Sequence, residues 1–225
     1  MDISLRCSTE SPRMLSKIFS ARRRTSVETA ATLAVFLSEK ASLVTQKAVI
    51  GYCYVRTSLP LHELMRDQPF AEAFERGRWL AYTAVLEDMF VIAEGRLRPS
   101  AADDSPRLAA ALARCFDGAL ADTAGAAVRD EARSAATEVL HRRLSDAQAL
   151  TPRSIADITQ VSGQRVYEAM PIHERHRRLD RESIIAGVRF VTVGLAGEFA
   201  RRIDAPRVVA DLLTSPTNGP PTTGS

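Results

Sequence analysis

Residues 69–95 read PFAEAFERGRWLAYTAVLEDMFVIAEG, and this stretch decides the fold. Its apolar and aromatic residues recur at spacings of three and four, which is typical of a helix with a buried face. Asp67 and Pro69 predict the start, because proline suits a first helical turn, where its missing N–H has no partner. Gly95 predicts the C-terminal end. We expect this helix, which holds the only tryptophan, Trp79, to lie at the centre of the core.

The same spacing recurs on both sides of this stretch. A capping box at residues 25–28 predicts a helix from Val27 to about Arg56. Further helices are predicted over 60–66, from 105 to about 120, over 125–146, from 151 onward, from 180 to about 203 and over 204–213. The residues at 96–105, RLRPSAADDS, read as a polar linker, and no segment is convincing as a strand. We predict an all-α fold, a bundle of about seven or eight helices.

Composition divides the chain into an arm, a body and a tail. The 225 residues are 45% hydrophobic, which is enough for a sizeable core. We expect a single all-α domain over 26–213, with halves at about 26–98 and 150–213 around a middle helical pair at 106–148. Residues 1–25 are predicted to be a basic flexible arm. Residues 214–225, rich in Pro, Thr and Gly, are predicted to be a disordered tail.

The net charge of +3 is carried by the arm. Residues 1–25 hold six basic and two acidic groups, a net of +4, and the remainder holds 24 basic and 25 acidic residues. A nucleic-acid partner is therefore not expected, since such proteins carry a basic excess on the folded surface. No uninterrupted apolar run reaches the roughly 18 residues of a membrane span. Three dispersed cysteines and the absence of a secretory signal predict a cytoplasmic protein.

Two copies of one motif, PLHELMR at 60–66 and PIHERHR at 171–177, lie 111 positions apart. At this offset nine positions are identical without a gap, and both copies are predicted to join a helix to a long helix through a proline corner. This pattern indicates an internal duplication. Duplicated units commonly pack about a pseudo-twofold axis, so equivalent residues from the two halves could face each other.

The repeated His and Glu residues carry two alternative interpretations. His62, Glu63, His173 and Glu174, joined by His176 one helical turn on, could hold a divalent metal, because imidazole and carboxylate suit zinc or iron. The alternative is structural: Glu stabilises the first turn of a helix and His bonds a nearby carbonyl. No other cofactor is expected, so a metal-dependent enzyme depends on these residues alone.

Other enzyme signatures are absent from the sequence. Glu138 and His141 have the Glu-x-x-His spacing of di-iron bundles, but that site needs two such motifs and the chain has one. There is no GxxxxGK[ST], GxGxxG, HExxH or GxSxG. We therefore expect a non-enzymatic helical module, an adaptor, assembly factor or regulator, that binds another protein or a second copy of itself. A metal- or cofactor-dependent helical enzyme is the alternative.

The arm offers a separate candidate for partner binding. As a helix, residues 12–24 would be amphipathic and basic. They could dock in a partner's groove or lie on an anionic membrane surface, which makes a peripheral membrane protein the third hypothesis. The candidate contact residues are Leu15, Ile18, Phe19, Arg22, Arg23 and Arg24.

Overall fold

The computed structural model describes residues 26–123, 128–151, 158 and 160–214. The all-α prediction is confirmed, because within these ranges the chain is helical and contains no strand. The segments are α1 (Ala30–Thr45), α2 (Gly51–Thr57), α3 (Leu61–Leu64), α4 (Gln68–Ala101), α5 (Ser105–Thr123), α6 (Val128–Gln148), α7 (Ser162–Ala169), α8 (Glu174–Arg177), α9 (Arg181–Arg202) and α10 (Ala205–Thr214). Because α1 continues into α2 and α8 into α9, seven of the described helices exceed one turn.

Helix α4 is the centre of the bundle, as its sequence predicts. Helices α1, α5, α6, α7 and α10 pack around it, so every residue from Ala81 to Glu94 is buried. Its start is also as predicted: the Asp67 side chain accepts a hydrogen bond from the Phe70 N–H at 2.8 Å. The polar residues of this buried stretch cannot contact water, so they must bond to other groups inside the bundle.

The predicted end of this helix at Gly95 is wrong, because α4 continues to Ala101 through the segment read as a linker. The cause is a buried pair one turn apart. Arg98 donates to both carboxylate oxygens of Glu94, at 2.6 and 2.7 Å, and to two backbone carbonyls around the end of α6. These contacts favour a helical backbone across Gly95, and Pro99 is accommodated in the last turn.

The predicted start of the first helix at Val27 is also wrong. Helix α1 begins at Ala30, and the box that caps it is formed by Thr29 and Thr32. Thr32 donates its N–H to the Thr29 hydroxyl at 3.2 Å, and Thr29 donates its N–H to the Thr32 hydroxyl at 2.9 Å. Threonine serves both positions, so the acidic residue sought by the motif is not needed.

Val27 is extended and pairs with the far end of the chain. It forms a parallel β-bridge with Ile203: its N–H donates to the Arg202 carbonyl at 3.0 Å, and its carbonyl accepts from the Asp204 N–H at 2.9 Å. The Ser26 hydroxyl also donates to the Arg202 carbonyl. The first described residues are thus fixed at the C-terminal end of α9.

Helix α9 runs antiparallel to α1 and α2 along their length. Lys40 on α1 donates to Glu198 near the end of α9 at 2.9 Å. Tyr52 on α2 donates to Asp180, just before the start of α9, at 2.7 Å. The two contacts therefore run in opposite order along the two helices.

The element order around the two proline corners is similar, but the surrounding helices differ. Each corner follows a helix of seven or eight residues, α2 or α7, and precedes a one-turn helix and a long helix. A five-residue π turn (Gln46–Ile50) continues α1 into α2, whereas α6 ends at Gln148, well before α7. Helix α4 also extends ten residues beyond the position that corresponds to the end of α9. The internal duplication stays a prediction.

Candidate functional sites

The outward side of α9 is mostly apolar, with the exposed Arg189 next to it, and lacks a covering element in the described part of the chain. Phe190 is 81% exposed and Val193 is 40% exposed. Exposed small residues lie on either side of them. We call Ala186, Gly187, Phe190, Val193 and Gly194 the α9 outer face.

The opposite side of α9 is buried against the bundle. Val188, Thr192, Ala196 and Phe199 are inaccessible or nearly so, and the helix packs mainly on α7 and α1. The rings of Phe199 and Phe36 lie 5.6 Å apart. Because both sides of α9 are apolar, hydrophobic periodicity alone does not reveal that one apolar side is exposed. The outer face was therefore not among the predicted binding sites. The unusually apolar composition of residues 184–200 was the available signal.

One described helical stretch, Glu174–Arg202, is long and apolar enough to cross a membrane by length and composition. Its best window has a mean hydropathy of 1.4, and 33% of that window is buried in the bundle. The sequence analysis found no uninterrupted apolar run because Arg189 and Glu198 interrupt it, although the average remains high. A buried core helix passes the same test, so this property assigns no location.

Two adjacent acids in α4 form a second site inside the bundle. Asp88 is fully buried, and its carboxylate accepts from Arg143 on α6 at 2.5 Å. It also accepts from the backbone N–H groups of Val161 and Ser162, at 3.3 and 2.9 Å. A carboxylate at this position satisfies the first donors of α7 and stabilises the positive end of its dipole.

Glu87, the neighbouring acid, links three helices. Its carboxylate lies 2.6 Å from the Arg165 guanidinium on α7 and 3.6 Å from Arg143 on α6. Burial raises the pKa of Glu87 above its ordinary value, and the two arginines oppose that shift. Glu87 and Asp88 were not among the predicted site residues. The sequence feature that could have indicated them is the presence of two charged residues within an otherwise apolar central helix.

A cavity of about 540 Å³ lies beside these acids, between α4, α6 and residues 158–165. Its walls combine aliphatic side chains with four arginines and two acids, Glu94 and Asp146. Arg143 and Arg165 contact the buried acids, and Arg98 is held by Glu94, whereas Arg142 has no ion pair within the described ranges. The apolar lining comes from Val91, Val139, Ala147, Leu150, Ile158 and Val161.

The first repeated motif lies on the surface. His62 and Glu63 belong to the one-turn helix α3, and His62 Nε2 is 4.0 Å from the Glu63 carboxylate. The His62 side chain is 71% exposed. The cavity at the second motif is lined by Arg56 and Thr57, at the end of α2, but by neither His62 nor Glu63.

The second motif caps a helix. His173 Nδ1 accepts from the Arg175 N–H at 3.2 Å, which places His173 at the N-cap of α8. The rings of His173 and His176 are 6.4 Å apart, and both line a surface cavity with Leu179. Glu174 lies exposed in the first turn of α8.

No three His, Cys, Asp or Glu residues are grouped to hold a metal in the ranges that the structure describes. Glu138 and His141 are both exposed on α6. Burial raises the pKa of the Cys53 and Cys115 thiols to about 11, so both are protonated at neutral pH. The metal set His62, Glu63, His173, Glu174 and His176 stays a prediction.

The arginine of the second motif has a structural contact. Arg177 donates to the carbonyls of Tyr167, Glu168 and Met170 at 2.5–3.1 Å, and so satisfies the C-terminal end of α7. Its guanidinium also lies 4.7 Å from the Tyr167 ring centre. This supports the structural interpretation of the second corner.

The candidate partner-binding residues of the arm, Leu15, Ile18, Phe19, Arg22, Arg23 and Arg24, lie outside the described residues.

No family model, curated protein or solved structure matches this chain. The function must therefore be argued from the molecule itself.

Proposed function

We propose that this protein is a non-enzymatic helical interaction module, an adaptor, assembly factor or regulator, which docks an amphipathic helix on the α9 outer face. The observation that carries the proposal is the 81% exposure of Phe190 on a surface helix whose other side is firmly packed. An aromatic side chain buries about 150–250 Å² when covered, so Phe190 is the strongest anchor on this face.

The small residues beside Phe190 make the face suitable for a helix. A Cβ added at Gly187 or Gly194 would meet no atom within 4 Å, so the backbone of α9 can be approached closely there. Helix-in-groove recognition uses apolar anchors at spacings of three and four, and Ala186, Phe190 and Val193 provide such a row. An internal duplication remains part of the proposal for how the bundle arose.

The test is photocrosslinking from position 190 in cells that make the protein. Phe190 is replaced by p-benzoylphenylalanine, and the matched control carries the same residue at Arg114, which is exposed on α5. The proposal expects a discrete protein adduct at 190 that is lost when Val193→Glu is added. The crosslinked peptide should have apolar residues at helical spacing. Equal adducts at position 114, or a crosslinked peptide without that pattern, would reject the proposal.

A second function, the binding of a small apolar carboxylate, is favoured by the arginine-lined cavity. Its volume lies within the range of about 300–1,000 Å³ typical of ligand sites. Arg142 supplies a cation without an ion pair in the described ranges, beside an aliphatic wall and one turn from Asp146, which lines the same cavity. We expect octanoate at ten times its Kd to stabilise the fold by about 1.4 kcal/mol. Arg142→Gln should remove this stabilisation and Arg114→Gln should keep it, and equal shifts in both variants would exclude the site.

The two remaining hypotheses have direct measurements. Metal analysis of wild type and of the His62→Ala/His173→Ala variant tests the metal-dependent enzyme. That hypothesis requires near-stoichiometric metal in the wild type and its loss in the variant.

Flotation with anionic liposomes tests the membrane-surface hypothesis. That hypothesis requires that the wild type binds the liposomes and that Leu15→Glu/Phe19→Glu abolishes the binding.

A further inference from the structure

We infer that the occupant of the α9 outer face is α9 of a second copy of this chain, packed antiparallel about a twofold axis. This inference rests on the proposed function, because it takes the same face as the docking surface. It adds the identity of the partner helix, its direction and its register. Because both copies use the same face, the contact closes on itself as a dimer.

The shape of the outer face is complementary to itself. Phe190 projects from it with 81% of its surface exposed, and four residues further on a Cβ added at Gly194 would meet no atom within 4 Å. Gly194 and Ser26 line a cavity of about 530 Å³. In an antiparallel pair, Phe190 of each copy packs at Gly194 of the other, so a single twofold contact covers both aromatic rings.

This contact sets the register of the two helices. Facing positions lie at equal distances from a common midpoint, which falls level with residue 192 when Phe190 faces Gly194. Glu182, ten residues before the midpoint, is then level with residue 202 of the second copy and within one residue, about 1.5 Å, of Arg201. Arg201 lies eleven residues, close to three turns, beyond Phe190 and so shares its side of α9.

The charges at the C-terminal end of α9 favour the antiparallel direction. Lys40 and Arg202 share one acid there, Glu198, at 2.9 and 2.8 Å. Arg201 is exposed and has no ion pair in the part of the chain that the structure describes. This end therefore has an excess of positive charge. In a parallel pair the two positive ends would meet and repel each other, whereas an antiparallel pair separates them by the length of the helix.

The N-terminal end of α9 supplies an acid for Arg201. The Glu182 side chain is 83% exposed, and its ion pair with the adjacent Arg181 is a surface pair, which contributes little. Arg181 also donates to Gln164 on α7 at 2.7 Å, on the packed side of α9. Glu182 of each copy therefore lies where it can pair with Arg201 of the other, and this pair forms twice in the dimer.

The remaining charged groups along α9 do not oppose this arrangement. Asp180 is paired with Arg56 at 2.9 Å. Arg178 lies in the turn before α9, level with a position beyond the end of α9 in the second copy. The two copies of Arg189 are displaced by about 9 Å along the helix axis, so each can cover Val193 with its aliphatic stem and keep its guanidinium in water.

The dimer is expected to be weak. A contact between one pair of helices is small beside the roughly 1,200–2,000 Å² that stable interfaces bury, and small interfaces are typical of transient complexes. We expect a dissociation constant in the micromolar range, measured by sedimentation equilibrium of the full-length protein. A chain that stays monomeric into the millimolar range overturns the inference.

Charge reversal tests the register. Glu182→Arg and Arg201→Glu should each raise the dissociation constant of the dimer about fivefold or more, because each places like charges level with each other twice. The double variant exchanges the two charges and should return the constant to within about twofold of wild type. Arg114→Glu, at an exposed position on α5, is the matched control and should change nothing. A double variant as weak as the single variants overturns the inference.

Disulfide formation between copies tests the direction independently. The background is Cys7→Ser/Cys115→Ser, which leaves only the buried Cys53. Val193→Cys lies next to the midpoint, so it should couple with itself in the second copy under mild oxidation. Gly118→Cys, exposed on α5, is the control for random collision. Equal coupling of the two variants contradicts the inference.

Two glycines distinguish the antiparallel from the parallel direction. Gly187→Cys should not couple with itself, because its two copies are about 15 Å apart along the helix axis. It should couple in a mixture with Gly197→Cys, which is level with it in this register. A parallel dimer would instead couple Gly187→Cys with itself, and that result overturns the inference.

The dimer and the photocrosslinking result fail separately. An adduct at position 190 to another protein, from a chain that stays monomeric when purified, leaves the proposed function standing and removes the inference. A purified dimer that the charge exchange restores, with photoadducts in cells that are equal at 190 and 114, leaves the contact between two α9 helices and removes the proposed function.

Discussion

The Asp88 carboxylate on the central helix accepts the backbone N–H of Ser162, the first residue of α7, at 2.9 Å. One buried side chain therefore fixes the start of a helix 74 positions away in sequence. The same carboxylate holds Arg143, so α4, α6 and α7 meet at a single charged group. The stability of the bundle should depend on this group more than on any surface ion pair.

Replacement of Asp88 by Ala should lower the free energy of unfolding by roughly 3–5 kcal/mol, because it leaves Arg143 buried without this partner. The exposed Asp103→Ala is the control and should change stability by less than about 0.5 kcal/mol. Urea denaturation followed by Trp79 fluorescence measures both. A loss below about 1 kcal/mol for Asp88→Ala would show that the network is not needed for folding.

Gly77→Ala and Gly118→Ala should change stability in opposite directions. A Cβ at Gly77 would lie 2.1 Å from the Ala169 carbonyl oxygen, so α4 and the end of α7 would have to separate, at a cost of about 1–3 kcal/mol or more. Gly118 has open space, and alanine there should stabilise α5 by about 0.5–1 kcal/mol. Thermal unfolding measures the difference. Equal effects would contradict the close approach of α4 to α7.

The two sides of α9 should respond differently to substitution. Phe199→Ala creates a cavity against Phe36 and should cost roughly 3–5 kcal/mol. Phe190→Glu replaces a side chain that contributes little to the core, and should change the stability of the isolated protein by about 0.5 kcal/mol or less. If Phe190→Glu proves as damaging as Phe199→Ala, then Phe190 is covered in the folded protein.

The contact between α1 and α9 should weaken in acid. Hydrogen bonding to Lys40 is the main cause that lowers the pKa of Glu198 below its ordinary value, and Arg202 adds to it. A carboxylate with a lowered folded-state pKa adds stability above its unfolded pKa of about 4.3, and this stability is lost as the pH falls through the folded value. Because Glu198 is partly exposed, the contribution is about 0.5–1 kcal/mol.

The measurement is the unfolding free energy between pH 5 and pH 3 for wild type and Glu198→Gln. The wild type should lose more stability over this interval, and the two curves should converge at the acidic end. Glu39→Gln, at an exposed position on α1, serves as the control and should follow the wild type. Parallel curves for wild type and Glu198→Gln would contradict this account.

Local sequence predicted most helices because helix starts are encoded nearby. Asp67 caps α4 through its own side chain, and Asp204 accepts from the Arg207 N–H at the start of α10. The structure places these two starts, Gln68 and Ala205, within a residue or two of the predicted positions. The continuous helix predicted from 151 is wrong, because residues 158, 160 and 161 are not helical and α7 begins at Ser162. The apolar spacing of residues 69–95 also predicted the central position of α4, since a helix that is apolar on most sides must be surrounded.

The errors arose where a distant contact overrode a local signal. Gly95 reads as a stop, but the bonds from Arg98 to carbonyls around the end of α6 hold the helix together beyond it. Val27 reads as the first helical residue, but it gains two backbone hydrogen bonds from the end of α9. In both places the partner lies tens to hundreds of residues away, outside the window that periodicity examines.

The sequence by itself determined the helical class, the central helix and the basic composition of residues 1–25, because spacing, caps and composition act over a few residues. Only the tertiary structure decided that Glu87 and Asp88 are buried with arginines from α6 and α7, since their neighbours in space are remote in sequence. It also decided which side of α9 faces outward. Both sides are apolar, and only the packing of α7 and α1 against one of them leaves Phe190 exposed.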